Sequence, residues 1–149
     1  MTRSSPQLRA HLAVLLAAAS LAAAADSAAP LPRLQLHAGE HAFTVEVART
    51  PQQRARGLMG RTRLDAGAGM LFVFESAARH CFWMRGTPLP LSIAFVDTDG
   101  RIVGLADMQP HSETLHCPPA DIRYALEVKQ GEFQRRGIAA GTRIDGLPQ

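Results

Sequence analysis

Two parts of this sequence combine arginine with residues that often line ligand pockets. Arg54 lies in a short predicted helix and Arg61 in the turn after it, and Trp83, the single tryptophan, precedes an irregular loop from Arg85 to Pro90. Arginine, an aromatic ring and an irregular loop together are typical of a pocket for an anion, a sugar or a peptide carboxylate. The candidate contact residues are Arg54, Arg61, Trp83, Met84 and Thr87. The alternative is that Trp83 packs in the core and the arginines only solvate a helix face.

Two acidic residues, Asp97 and Glu127, are further ligand-binding candidates. Glu127 interrupts the apolar stretch from Ala125 to Val128. If its side chain points inward it needs a cationic partner, and we expect Arg54 or Arg61. Asp97 ends a predicted strand and could simply cap the next turn. A hydrolase or transferase that uses Asp97 or Glu127 is therefore an alternative function, although glycosidase chemistry requires two carboxylates on one groove.

Established catalytic motifs are not found in the sequence. It contains no phosphate-binding glycine loop, no nucleophile elbow and no zinc-protease helix motif. We therefore assign no catalytic residue, no cofactor and no metal site. Copper handling is a second alternative, because thioether, imidazole and thiolate groups suit copper(I). The residues it would use are Met59, Met70, Met84, Met108, His80, His111, His116, Cys81 and Cys117. Methionines in apolar runs, however, usually fill the core.

The first 25 residues have the three parts of a secretory signal peptide. They begin with Arg3 and Arg9, continue with the apolar run Leu12–Leu21, and end in alanines. The run is shorter than the ~20 residues that span a bilayer. We expect cleavage after Ala25, with Ala24 as a second choice, no membrane span afterwards, and a periplasmic or secreted protein.

The mature chain has the size and charge of one ordinary domain. Cleavage of 25 residues from the 149 would leave 124, with a short flexible lead-in at residues 26–33 and a single domain at residues 34–146. The signal peptide takes two of the 16 basic residues, and the remaining 14 nearly balance the 13 acidic ones. This balance gives no reason to expect nucleic-acid binding, and we expect a monomer.

Both cysteines, Cys81 and Cys117, remain after cleavage. In an oxidising compartment an even number of cysteines usually pairs. The bond would close a loop of about 37 residues, worth roughly 4 kcal/mol in the chain-entropy model. A buried pair of free thiols and a soft metal site remain alternatives, and thiol catalysis would require a free cysteine near a base.

Strand patterns predominate in the mature chain. Alternating apolar and polar residues predict a hairpin of Leu34–Leu36 and Phe43–Val47. Apolar runs predict further strands at Met70–Phe74, Cys81–Met84, Leu91–Val96, Arg101–Leu105 and Ile122–Val128. Helical turns are predicted at Pro51–Arg56, capped by Thr50, and at Glu132–Arg136. The fold class is therefore mainly β, a single compact β-barrel-like domain with one or two short helices.

Five ordered motifs resemble the successive signatures of the family called domain of unknown function 192. They are Arg54–Arg61, Gly69–Phe72, Phe82–Arg85, Pro90–Phe95 and Tyr124–Val128. The resemblance runs from about Leu34 to Ile144 and implies a small β-barrel-like domain, but no particular activity. The family pattern usually has Asn-Thr where this chain has Gly86-Thr87, so no amide role is carried to position 86. The cysteine pair resembles one in exported proteobacterial members, which favours the disulfide.

These observations together predict an exported, non-enzymatic ligand-binding or accessory domain. Its contact surface would consist of the Arg54–Arg61 segment and the Trp83–Thr87 loop. Its partner would be an unknown small molecule or an envelope protein.

Overall fold

The computed structural model describes residues 29–149, so the predicted signal peptide and the first three residues of the predicted lead-in lie outside the described residues. The described part contains seven strands and two short helices. They are β1 (Arg33–Ala38), β2 (His41–Ala48), α1 (Pro51–Arg56), β3 (Ala68–Ala78), β4 (Leu91–Val96), β5 (Ile102–Met108), β6 (Ile122–Lys129), α2 (Glu132–Arg135) and β7 (Ile144–Asp145). The mainly β prediction with two short helices is confirmed.

The seven strands form one curled sheet in the order β5-β4-β6-β3-β2-β1-β7. Strands β2 and β3 pair in parallel, since the chain crosses between them through α1, and the other neighbours are antiparallel. An isolated bridge between Arg101 and Arg143 joins the two edges of the sheet. The amide of Ile144 also donates to the carbonyl of Gly100 at 2.7 Å. The sheet therefore curls towards the predicted barrel.

Each face of the sheet carries its own hydrophobic cluster, because successive side chains of a strand point to opposite faces. On β6, Tyr124, Leu126 and Val128 belong to the first cluster, which also contains Phe43 and Phe133. Residues on the opposite face of the sheet form the second cluster together with side chains from the loops. This second cluster contains Met70, Phe72, Phe82, Met84, Ile93, Phe95 and Leu58. The candidate site is built on the second face.

Helix α1 begins and ends where the sequence predicts. The Thr50 hydroxyl accepts from the amide of Gln53 at 3.1 Å, and the Gln53 side chain accepts from the amide of Thr50 at 3.1 Å. This reciprocal capping box satisfies amides that a helix start leaves unpaired. Gly57 ends the helix with a φ of 48°, where a side chain would be strained and its Cβ would lie 3.2 Å from Phe72.

The predicted strand at Cys81–Met84 is wrong. Only Phe82 pairs there, through an isolated bridge to His116. The segment is extended, with Phe82 and Met84 turned into the second cluster and Cys81 and Trp83 turned out. The segment is apolar because it covers the second cluster. It lies beside a second loop, where the amide of Met84 donates to the carbonyl of Ser112. The strand β3 is longer than predicted and ends at Ala78.

Candidate functional site

A cleft of about 240 Å³ opens on the second face of the sheet, between α1, the end of β3 and the 81–87 loop. Its lining residues are Arg54, Ala55, Arg56, Gly57, Leu58, Met59, Phe72, Phe74, Cys81, Phe82, Trp83, Arg85, Thr87 and Glu127. Among the described residues, the lining combines aromatic rings, three arginines and a single acid, a composition typical of small-molecule sites.

The two segments that the sequence singled out meet at this cleft. The amide of Gly60, after α1, donates to the carbonyl of Gly86 in the 81–87 loop at 2.8 Å. The side chain of Met59 packs against Gly86 so closely that a Cβ there would lie 2.7 Å from its Cε. Two segments that are more than 20 residues apart in sequence thus form the two rims of one cavity.

Glu127 lines the cleft from β6 and is only 4% exposed. Its cross-strand neighbours are Met70 on β3 and Ile93 on β4, both apolar. Among the described residues its carboxyl group forms no ion pair and no hydrogen bond. Burial without a partner raises the pKa of Glu127 to about 8, because desolvation disfavours the charged form. The side chain is therefore mainly a neutral carboxylic acid at pH 7, able to donate a hydrogen bond.

The expected arginine partner of Glu127 is not observed. Arg54 lines the same cleft, but its guanidinium donates to the backbone carbonyls of Arg49 and Val73 and lies 5.1 Å from the centroid of the Phe74 ring. Arg61 instead pairs with Glu46 at 2.5 Å. It lines a neighbouring cavity of about 170 Å³. The prediction of an ion pair failed because a buried carboxyl group can also avoid an unpaired charge by holding its proton.

Trp83 is not a core residue, since 48% of its surface is exposed. The Arg85 guanidinium lies 5.6 Å from its ring centroid, within cation–π range. Met84, by contrast, is 1% exposed and packs in the second cluster, so its place among the contact residues is corrected. Thr87 is 5% exposed and lines the cleft.

Asp97 lies outside the cleft. Its carboxylate accepts from the amides of Asp99 and Arg101 at 2.9 and 2.8 Å. It therefore caps the turn between β4 and β5, as one of the two sequence interpretations had it. Among the described residues, no second carboxylate joins Glu127 in the lining of the cleft.

Cys81 and Cys117 form the predicted disulfide. It joins the 81–87 loop, which carries Trp83, to the loop that follows β5. No thiol in the described part of the chain is free to act as a nucleophile.

The candidate copper ligands are dispersed. Met70, Met84 and Met108 are at most 1% exposed, within the second cluster, and Met59 is 39% exposed at the cleft. Across residues 29–149, no three histidine, cysteine or acidic side chains come together as a metal site. None of the helices in that range has the length and hydropathy to cross a membrane.

Sequence reasoning missed the inner walls of the cleft. Phe72, Phe74 and Phe82 supply its aromatic surface, with Phe72 and Phe82 edge to face at a centroid distance of 5.1 Å. His80 stacks on Phe74 at 3.6 Å. The sequence did carry a signal for these walls. In an extended segment such as Cys81–Met84, successive side chains point to opposite sides, so an outward Trp83 implies an inward Phe82.

Comparisons with known proteins agree with the motifs. The family model DUF192, described as "Uncharacterized ACR", matches residues 34–146. A crystal structure from Sinorhizobium meliloti 1021, described as a "putative transcription regulator", is 36% identical, with a TM-score of 0.72 over 76% of this chain and 92% of that one. A protein of unknown function from Novosphingobium aromaticivorans DSM 12444 is 34% identical, with a TM-score of 0.74 over 80% and 94%. No curated protein matches the sequence.

Proposed function

The chain belongs to the DUF192 family, and because that family is uncharacterised we propose a function from the cleft itself: the domain is an exported, non-enzymatic protein that binds a small molecule over Glu127. The observation that carries the proposal is the buried, unpaired carboxyl group of Glu127 at the cleft. The carboxyl oxygens still reach the cleft, but the burial around them removes much of their hydration, and this loss has a cost in free energy. A ligand that satisfies the group would recover part of that cost.

The size of the cleft supports a small ligand. A cavity volume of about 240 Å³ lies just below the roughly 300–1,000 Å³ of typical ligand pockets. This holds a single ring with one or two substituents, or one side chain of a peptide. A cavity of this volume does not hold a folded partner, although an envelope protein could present such a side chain.

The residues that line the cleft with Glu127 favour binding over hydrolysis. A protonated acid could serve as a general acid, but the described lining residues include no second carboxylate and no histidine that could act as its base. Asp97, the other acid of the hydrolase alternative, is occupied in a turn. Three of the four methionines that the copper alternative requires, Met70, Met84 and Met108, are buried in the core.

The disulfide supports the export part of the proposal. Disulfides persist mainly in oxidising compartments such as the periplasm, and this one closes a separation of 36 residues beside the cleft. The signal-peptide pattern at residues 1–25 is the independent argument from the sequence.

A thermal-shift screen with small molecules tests the binding function. We expect ligands that raise the melting temperature of the wild-type protein, because binding to the native state alone stabilises it. The shift should be lost in Arg54→Gln, which alters the cleft, and kept in Arg61→Gln, which alters the neighbouring cavity. If no compound shifts the melting temperature, and native mass spectrometry of the exported protein shows only the bare chain, the proposal is wrong.

A further inference from the structure

We propose that the ligand of this cleft is a small organic carboxylate with a ring-sized apolar body, whose carboxylate accepts a hydrogen bond from the Glu127 side chain beside the positive charge of Arg54. This inference rests on the proposed function and names the chemical class of its ligand. It follows from the charge of the cleft, from its walls and from the protonation of Glu127.

The charge of the cleft is the first step. Its lining includes Arg54, Arg56 and Arg85, and Glu127 is the acid among the described lining residues. Arg85 has an acidic partner, Glu113, at 3.5 Å. Arg54 contacts only neutral groups, two carbonyls and the Phe74 ring, so no acid among the described residues balances its charge. With Glu127 protonated, the cleft carries a net positive charge and favours an anion.

The walls decide the body of the ligand. Phe72, Phe82 and Leu58 are nearly buried and present apolar surface to the cleft, and Phe74 adds a further ring. A ligand with an apolar body and a polar head group matches a cavity of about 240 Å³ that is lined by few polar groups. A sugar fits less well, since its hydroxyls need acceptors as well as donors, and the described lining side chains offer arginine donors but only the Thr87 hydroxyl and the Glu127 carboxyl group as acceptors.

The protonation of Glu127 decides the charge of the head group. An organic amine would require the ionised form of Glu127 and would meet the repulsion of the arginines. A carboxylate instead accepts the proton of the neutral acid in a charge-assisted hydrogen bond, which is stronger than a neutral one. The bound anion in turn favours the protonated form of Glu127.

Binding should consequently depend on pH. The groups that face Glu127 are the arginines of α1 and the 81–87 loop, which keep their charge, and apolar side chains on β3 and β4. Since the pKa of Glu127 is about 8, the protonated fraction falls about tenfold between pH 7 and pH 9. If only that form binds, the affinity falls by the same factor of about ten.

Benzoate is the probe, with benzamide and benzylamine as neutral and cationic controls of similar shape. The fluorescence of Trp83, the single tryptophan, reports on the cleft directly, and calorimetry gives a readout that does not depend on quenching. We expect saturable benzoate binding at millimolar concentration at pH 7, stronger than that of benzamide, about tenfold weaker at pH 9, and no binding of benzylamine.

Two variants separate the roles of the residues. Glu127→Gln keeps a hydrogen-bond donor without a titrating proton, so benzoate binding should persist at both pH values and lose its pH dependence. Arg54→Gln should weaken binding at least tenfold. His80→Gln controls for the ring stacked on Phe74 and should keep the wild-type pH profile. Circular dichroism establishes that each variant is folded.

The inference is overturned if benzoate does not bind, if benzylamine binds more tightly than benzoate, or if Glu127→Gln keeps the pH dependence. These results leave the proposed function intact when the thermal-shift screen finds other ligands that require Arg54. When the screen also finds none, both proposals fail together.

Discussion

The single residue with the largest consequence for this molecule is Glu127, whose burial links stability to pH. Its pKa rises from 4.5 in a free side chain to about 8 in the folded protein. The folded state therefore holds a proton that the unfolded state releases, and stability falls as pH rises through this window.

We expect the free energy of unfolding of the wild-type protein to decrease by up to about 1.4 kcal/mol per pH unit between about pH 5 and pH 8. In Glu127→Gln this contribution should disappear, because the amide does not titrate. Urea unfolding at three pH values measures both slopes. Equal slopes in the two proteins would show that Glu127 is ionised in the folded state.

Phe82 and Trp83 are adjacent but should respond very differently to substitution. Phe82 is 9% exposed and contacts the rings of Phe72, Phe74 and Phe95, whereas Trp83 is about half exposed. We expect Phe82→Ala to cost about 3–5 kcal/mol and Trp83→Ala to cost less than about 1 kcal/mol. Denaturant melts of both variants measure this, and an equal loss would place Trp83 in the core.

At the scale of single residues, the sequence was a better guide to where a side chain lies than to which groups it contacts. It marked Glu127 as an acid that would need a partner if it faced inward, and it offered Trp83 with the arginines as one contact surface, beside the alternative of a core tryptophan. It could not show that Arg54 would bind carbonyls and a ring instead of the acid, because that depends on β3, which is distant in sequence. Met84 was misassigned because its neighbour Trp83, not Met84 itself, points outwards.

At the scale of elements, α1 is the wall of the cleft whose stability is most easily tested. Its capping box depends on the hydroxyl of Thr50. Thr50→Ala should cost about 1 kcal/mol, as is usual for the loss of an N-cap. Thr98→Ala, in an exposed turn, is the matched control and should change stability by less than about 0.5 kcal/mol. Urea unfolding compares the two, and equal effects would argue against a contribution from the cap.

Local patterns predicted most elements because they depend on nearby residues. The capping box, the β1–β2 hairpin and the apolar run of β4 are each encoded within a few positions. The failure at Cys81–Met84 has a different origin. Its alternation is that of a strand, but β4, β6 and β3 already occupy the central places in the sheet. The segment therefore covers the sheet face instead of joining the sheet, a choice that only the tertiary structure makes.

At the scale of the whole molecule, the topology explains why one face carries the cleft. The curled sheet encloses the first cluster, while the second is covered by α1 and the segment that follows it, by the chain near Leu31 and by the disulfide-linked loops. Short elements and loops cover a sheet face less completely than a second sheet would, and the uncovered part becomes the cavity. The parallel β2–β3 pairing and the joined edges were beyond sequence reasoning, because both depend on pairs of residues far apart in the chain.

Export and disulfide formation are properties of the whole chain and can be tested together by intact mass. Protein recovered from the periplasm of an expression host should have the mass of a chain cleaved near Ala25. Its thiols should react with a blocking reagent only after reduction, because Cys81 and Cys117 are bonded. Reduction should also lower the free energy of unfolding by roughly 4 kcal/mol, the loop-closure contribution of a cross-link of this span. The double variant Cys81→Ser and Cys117→Ser is the matched control and should show the same loss without reductant. A full-length mass with two reactive thiols would contradict export, and with it the compartment in which we expect the cleft to meet its ligand.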